Sequence, residues 1–274
     1  VVSWPTTSSP TMSRRASTPR QRRKTDLRYV EEQDSDQAPE LDTRLIWALL
    51  FFCLAIFAKV PQLDLMATAR YYTPELGFMH GQDPWVLWSY NWTPWIGRAL
   101  ILVLVLLWAF NGLIAKALRR AGQETQARLC EGLGRRVAIL TVVSALLGPG
   151  LLIEGFFKNV AGRPRPVQVI ELGGTVPYHG PFQWGDKPHQ HKSFVSSHAA
   201  AGFALMGLGL ACGPVWRRRW LQIGIVSGAV IGAGRMMQGG HFLSDIIFSF
   251  YSVWICCELV LAWDRRRQAS SKRQ

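Results

Sequence analysis

The stretch Arg235-Met236-Met237-Gln238-Gly239-Gly240-His241-Phe242-Leu243-Ser244-Asp245 stands at the junction of two apolar runs, residues 221–233 and 242–263. It places an arginine, a histidine and an aspartate at fixed offsets. With helix from His241 onward, His241 and Asp245 are four apart and share one face. The carboxylate can then hold one imidazole nitrogen and leave the other outward with its lone pair, the tautomer that a nucleophilic histidine needs. Arg235, just before the Gly239-Gly240 turn, offers a planar fork suited to phosphate oxygens. Taken alone, the stretch is better read as a helix-end His–Asp hydrogen bond with a stray arginine.

Two further polar clusters punctuate the same half of the chain. They are Lys158-Asn159-Val160-Ala161-Gly162-Arg163-Pro164-Arg165-Pro166 and Ser193-Phe194-Val195-Ser196-Ser197-His198. Together the three clusters resemble the signature of the type 2 phosphatidic acid phosphatase (PAP2) superfamily. That signature is a lysine, six residues and Arg-Pro; then Pro-Ser-Gly-His; then Ser-Arg, five residues, a histidine, three residues and an aspartate. Lys158, Arg165 and Pro166 match its first part, Ser196 and His198 the second, and Arg235, His241 and Asp245 the third. Val195 stands where the family has proline, Ser197 where it has glycine, and Gly234 where it has serine. The resemblance covers residues 158–245, and three spaced matches in the right order are far more specific than any one motif.

The chain has 274 residues, 49% of them hydrophobic, with 12 tryptophans, and the apolar residues are clumped into long runs. Clumping points to a membrane and not to a soluble core. A formal charge of +13 would suggest nucleic acid if it were spread over a soluble surface. Most basic residues instead fall between apolar runs, the distribution of cytoplasmic loops, so no nucleic-acid partner is expected. Cys53, Cys130, Cys212, Cys256 and Cys257 have neither metal-ligand spacing nor the look of a disulfide framework. Neither a metal nor a cofactor is expected.

Six apolar runs follow a polar start: approximately residues 45–60, 96–115, 137–157, 194–215, 221–233 and 242–263. They predict an all-α, polytopic bundle of six transmembrane helices over residues 44–264. A span takes about 20 residues, so the first and fifth runs must borrow from their flanks. Residues 1–43, poor in aliphatics and rich in Ser, Pro and charge, read as a disordered tail, and residues 265–274 as a basic cytoplasmic tail. The first apolar run comes too late for a signal peptide, and Met12 suggests that the first residues are a gene-start artefact. Six spans put both termini on one side. Lys116, Arg119, Arg120, Arg128, Arg135 and Arg136, then Arg217 to Arg219, then Arg265 to Arg267 assign that side to the cytoplasm. Residues 61–94, rich in Trp and Tyr, read as an outer interfacial loop. Residues 158–192 are also outside although basic, which an anionic ligand explains. On this topology all three clusters meet at the outer face of a bacterial inner membrane, towards the periplasm.

What the resemblance implies is a phosphatase. His241 would be the nucleophile that forms a phosphohistidine, Asp245 its orienting carboxylate, and His198 the acid that protonates the leaving oxygen and later activates water. Lys158, Arg165 and Arg235 would neutralise the phosphate oxygens, with Ser196 and Ser197 donating at the start of span four. Glu154 is expected to pair with Lys158 one turn on. Arg163 is open to a reading as a headgroup contact, His179, His189 and His191 as solvated loop residues, and Gly148-Pro149-Gly150 as a kink. The Arg-Pro-Arg-Pro run and the Ser-Phe-Val-Ser-x-His form of the second motif look most like the branch containing lipid A phosphatases. Lipid A, undecaprenyl diphosphate, phosphatidylglycerol phosphate and phosphatidic acid all stay open as substrates. So do a phosphotransferase on the same scaffold and a non-catalytic lipid-binding protein. Oligomeric state is not legible.

Overall fold

A computed structural model describes residues 41–187 and 189–271, so almost all of the expected N-terminal tail lies outside the described residues. The first helix, α1 (Arg44–Lys59), stops at Val60, because the residue before a proline is pushed out of helical geometry. After Pro61 the chain turns by 90° into the short α2 (Leu63–Ala69). A two-stranded antiparallel hairpin follows, β1 (Tyr72–Thr73) and β2 (Gly77–Phe78), with Tyr72 opposite Phe78.

Helix α3 (Pro84–Ala109) begins far earlier than its apolar run. Pro84 is at the first helical position, where its fixed φ and missing N–H cost nothing. Much of the expected outer loop is therefore helix. Trp85, Trp88, Trp92 and Trp95 are exposed and recur every three or four residues, so they form one aromatic face of α3. Helix α4 (Asn111–Arg120) is short and ends on Arg119 and Arg120.

The long α5 (Glu124–Val160) contains two π-helical stretches, Cys130–Gly134 and Leu146–Phe157. The expected kink at Gly148-Pro149-Gly150 appears as the start of the second stretch. Proline lacks the N–H that an α-turn needs and its ring crowds the preceding turn, so the ladder widens locally. Helix α6 (Ser197–Phe203) tightens into a 3-10 segment, Ala204–Gly209. At 1.5 and 2.0 Å per residue the two together reach about 22 Å, short of a hydrocarbon core of about 30 Å.

Helix α6 packs on α7 (Pro214–Met237) through glycine. Gly224, Gly228 and Gly232 recur every four residues and so line one face of α7. A Cβ on Gly228 would strike the Phe203 ring, and one on Gly224 would lie 3.0 Å from the Phe203 carbonyl oxygen. Small residues at such crossings allow close backbone approach, which drives helix association where lipid offers no hydrophobic gain.

The last helix, α8 (Leu243–Ser271), is the centre of the bundle, with Phe248, Tyr251, Val253, Trp254, Cys257 and Val260 buried. It runs on through the residues read as a basic tail. At its far end Arg136 reaches Asp264 at 2.5 Å and Arg217 reaches Glu258 at 2.6 Å, tying α5 and α7 to it. Among the described residues, four helices (α3, α5, α7 and α8) are long and apolar enough to cross a membrane, or five if the bent α1–α2 pair is one span. The architecture is all-α and multi-pass, but the count of six is not reached by length and composition. The fourth run is the reason: its Ala- and Gly-rich helix is enclosed by protein and is short.

Candidate active site

Helix α7 ends on a left-handed glycine. Gly239 has φ +61°, and its N–H and that of Gly240 return to Met236 and Arg235 carbonyls at 2.8 and 2.9 Å. Three residues later α8 begins, and His241 lies in the turn between them. Its Nδ1 is 3.4 Å from Asp245 Oδ2 but makes no aligned hydrogen bond. That carboxylate oxygen already accepts Ser193 Oγ at 2.5 Å and the Phe242 N–H at 2.9 Å. Burial pushes the His241 ring down to about 3; Asp245 pulls it up, and the cations Lys158 and Arg235 press it down. The imidazole is therefore neutral and keeps a lone pair.

Arg163 does not reach for headgroups. It is buried, and its guanidinium is fully engaged: Nη1 donates to Asp245 Oδ1 at 2.6 Å and to Ser244 Oγ at 2.8 Å. Nη2 donates to Asp64 Oδ2 at 2.7 Å, and Nε to the His179 carbonyl at 3.0 Å. The Phe242 ring lies 4.4 Å from its central carbon. Burial opposes the charge, but Asp245 and Asp64 more than offset it and hold the arginine ionised. Sequence reasoning missed Asp64 in this site. The signal was there, an acid in the apolar stretch Pro61-Gln62-Leu63-Asp64-Leu65.

Lys158, at the end of α5, donates to the Lys192 and Ser193 carbonyls at 2.7 and 3.2 Å. It lies within electrostatic reach of Asp245, Glu154, Arg165 and Arg235. Arg165 is exposed and acts electrostatically on Lys158, His198 and Arg235. Arg235 is buried under Gly240, which has no side chain to obstruct it. One of its nitrogens donates to Gln238, and its Nε is unpartnered. Three cations and two histidines thus share one polar region, although Lys158 already spends two of its three hydrogens on carbonyls.

Tyr90 joins the parts. Its ring stacks on His198 at 5.1 Å and 19°, and the Arg235 guanidinium carbon lies 4.5 Å from the same ring. Read from sequence as one of the belt aromatics, it is instead the support for both groups. Ser196 caps α6, accepting the Ala199 N–H at 3.3 Å, and its own N–H donates to the Asp245 carbonyl at 3.1 Å. The start of α6 is thereby pinned to the start of α8.

Ser197 is a correction. Its hydroxyl donates to Glu154, not into the space among the cations, and Glu154 therefore makes no ion pair with Lys158. One residue along a helix turns the side chain by about 100°, which carries Ser197 off the face that holds His198's partners. Both Glu154 and Ser197 line an apolar groove of about 600 Å³ with Pro94, Ile101, Ala145 and Leu205.

Residues 137–269 match the PAP2 superfamily, a range that holds Lys158, Arg165, Ser196, His198, Arg235, His241 and Asp245 but neither Asp64 nor Tyr90. The chain is 28% identical over 225 residues to a protein named lipid A 4'-phosphatase from Francisella tularensis subsp. novicida (strain U112), covering 80% of this chain and 93% of that one. To a protein of the same name from Rhizobium leguminosarum it is 25% identical over 233 residues, covering 81% and 94%. No solved structure matches. The signature, the buried His–Asp pair among cations, the apolar helices and these relatives agree: the chain carries a PAP2 superfamily domain and is a multi-pass membrane lipid phosphatase.

Proposed function

We propose that the chain removes the 4'-phosphate of lipid A, or of a closely similar phosphorylated glycolipid, at the periplasmic face of a bacterial inner membrane. The observation that carries the chemistry is the buried, neutral His241 beside Asp245 with Lys158, Arg165 and Arg235 around it. The two relatives named lipid A 4'-phosphatase, each matched over more than nine-tenths of its length, supply the substrate class. The groove behind Ser197 offers an apolar surface of the kind acyl chains require.

In the first step His241 Nε2 bonds to phosphorus while the bond from phosphorus to the sugar oxygen breaks. His198 donates the proton that this oxygen takes up, and the three cations neutralise the equatorial oxygens. Asp245 stabilises the ring as it becomes positive. In the second step His198, now neutral, takes a proton from water as that water attacks phosphorus, releasing inorganic phosphate and restoring His241. Tyr90 holds the His198 ring and the Arg235 guanidinium in register for both steps.

The test is phosphate release by detergent-purified protein from lipid A beside undecaprenyl diphosphate, phosphatidylglycerol phosphate and phosphatidic acid. Lipid A should lose one phosphate, from the distal sugar, faster than the other lipids lose theirs. Release from the reducing-end sugar, or preference for another lipid, would overturn the substrate assignment. Transfer of the phosphate to a lipid hydroxyl without free phosphate would make the protein a phosphotransferase.

A further inference from the structure

Asp64 lies on α2, ahead of the residues that match the PAP2 superfamily, yet it reaches the catalytic carboxylate through one side chain. It is completely buried and both of its oxygens are in use. Oδ1 accepts the Ser244 N–H at 2.8 Å; Oδ2 accepts Ser244 Oγ at 2.5 Å and Arg163 Nη2 at 2.7 Å. Ser244 is in the first turn of α8, so Asp64 caps that helix from another segment, at the end where peptide dipoles favour negative charge. Arg163 then bridges to Asp245 at 2.6 Å. Two buried carboxylates share one guanidinium, so the triad of Asp64, Arg163 and Asp245 carries one negative charge in excess. Such an excess is costly in a dry interior, and it faces His241, the group that must become positive.

We propose that Asp64 is a positioning residue for the phosphatase reaction: it holds one arm of Arg163 and the start of α8, so that Asp245 keeps its charge and its aim on His241. The inference rests on His241 as nucleophile. Without the Asp64 charge, Arg163 would turn fully onto Asp245, and its fork would neutralise the carboxylate that the phosphohistidine needs. Asp64 touches no reacting atom, so its removal should alter kcat and spare the phosphate cradle.

Asp64→Asn keeps the size of the side chain and an oxygen for the Ser244 N–H, while removing the charge. Expected is a fall in kcat of about tenfold to a hundredfold with KM nearly unchanged, the worth of one charged hydrogen bond. Asp64→Glu should recover part of the loss. The decisive measurement is a double-mutant cycle. In an Asp245→Asn background Asp64→Asn should cost less than about threefold, since a residue that acts through Asp245 has nothing left to act on. Equal losses in both backgrounds, or a raised KM with unchanged kcat, would overturn the proposal in favour of a purely structural role. If Asp64→Asn cannot be extracted folded, Asp64→Ser removes the same charge and leaves an oxygen near the Ser244 N–H, and the same cycle with it decides by the same criterion. Wild-type enzyme quenched in alkali, where a phosphohistidine survives, is measured first. A wild type that turns over without trapped phosphoenzyme refutes the His241 reading itself, whereas a trapped phosphoenzyme with multiplicative losses refutes only the role of Asp64.

Discussion

His241 and His198 differ in how they are held, and the proposed division of work rests on that difference. His241 is enclosed beside a carboxylate, while His198 is half-buried on the face of Tyr90. With burial pushing the His241 ring down to about 3, histidine-selective NMR should find it neutral from pH 5 to pH 8 in the phosphate-free protein, with His241→Gln giving the assignment. A ring that titrates near 6.5 would mean a wetter site than this one. His198→Ala should cost about a hundredfold to ten-thousandfold with lipid substrates. A nitrophenyl phosphate needs little proton donation, so this variant should still be phosphorylated and should accumulate an acid-labile, base-stable label on His241. An unlabelled His198→Ala together with an active His241→Ala would transfer the chemistry to direct attack by water. These residues were legible because the offset from His241 to Asp245 and the order of the three clusters survive any detail of folding. Which way Ser197 points was not legible, since neighbours on a helix face different partners and Glu154 took its hydroxyl. Arg163 and Arg165 are alike as letters, and only packing separates the buried clamp from the exposed cation.

Among the elements, the pairing of α6 with α7 decides where His198 stands. The glycine face of α7 lets Phe203 and the α6 backbone lie almost on the α7 backbone. Gly228→Ala would drive a methyl into the Phe203 ring, and overpacking of that kind costs about 1 to 3 kcal/mol. Thermal unfolding in detergent should show the loss, and turnover should fall with it, because His198 is on the displaced helix. Gly213→Ala, at a glycine whose Cβ would meet nothing, is the control and should be silent. The sequence announced α5 and α8 as long apolar runs and α7 as a short one that borrows from its flanks. The fourth run does not reach spanning length as helix, and hydropathy counts alanine and glycine alike whether they face lipid or protein. The sequence placed the start of α3 too late, since Trp and Tyr read as belt residues until Asp83-Pro84 is recognised as a helix start.

For the whole molecule the first question is orientation. The basic clusters near Arg217 and Arg265 lie at the ends of α7 and α8 opposite to Arg235 and Asp245, and the third cluster ends α4; the positive-inside rule would put all three in the cytoplasm. An alkaline phosphatase fusion after Gly180 should be active and one after Arg120 inactive. The reverse pattern would turn the site to the cytoplasm and remove every outer-leaflet substrate. The buried chain from Asp64 through Arg163 to Asp245, with Tyr90 under His198, also bears on modularity. Two supports of the catalytic groups come from ahead of residue 137, so the part that carries the family signature is not a separable cassette. Recombination between relatives at a crossover near residue 130 would join catalytic residues of one parent to supports of the other. Only parents that agree at positions 64, 90 and 163 would yield an offspring that works, and the front of the chain is inherited with the back.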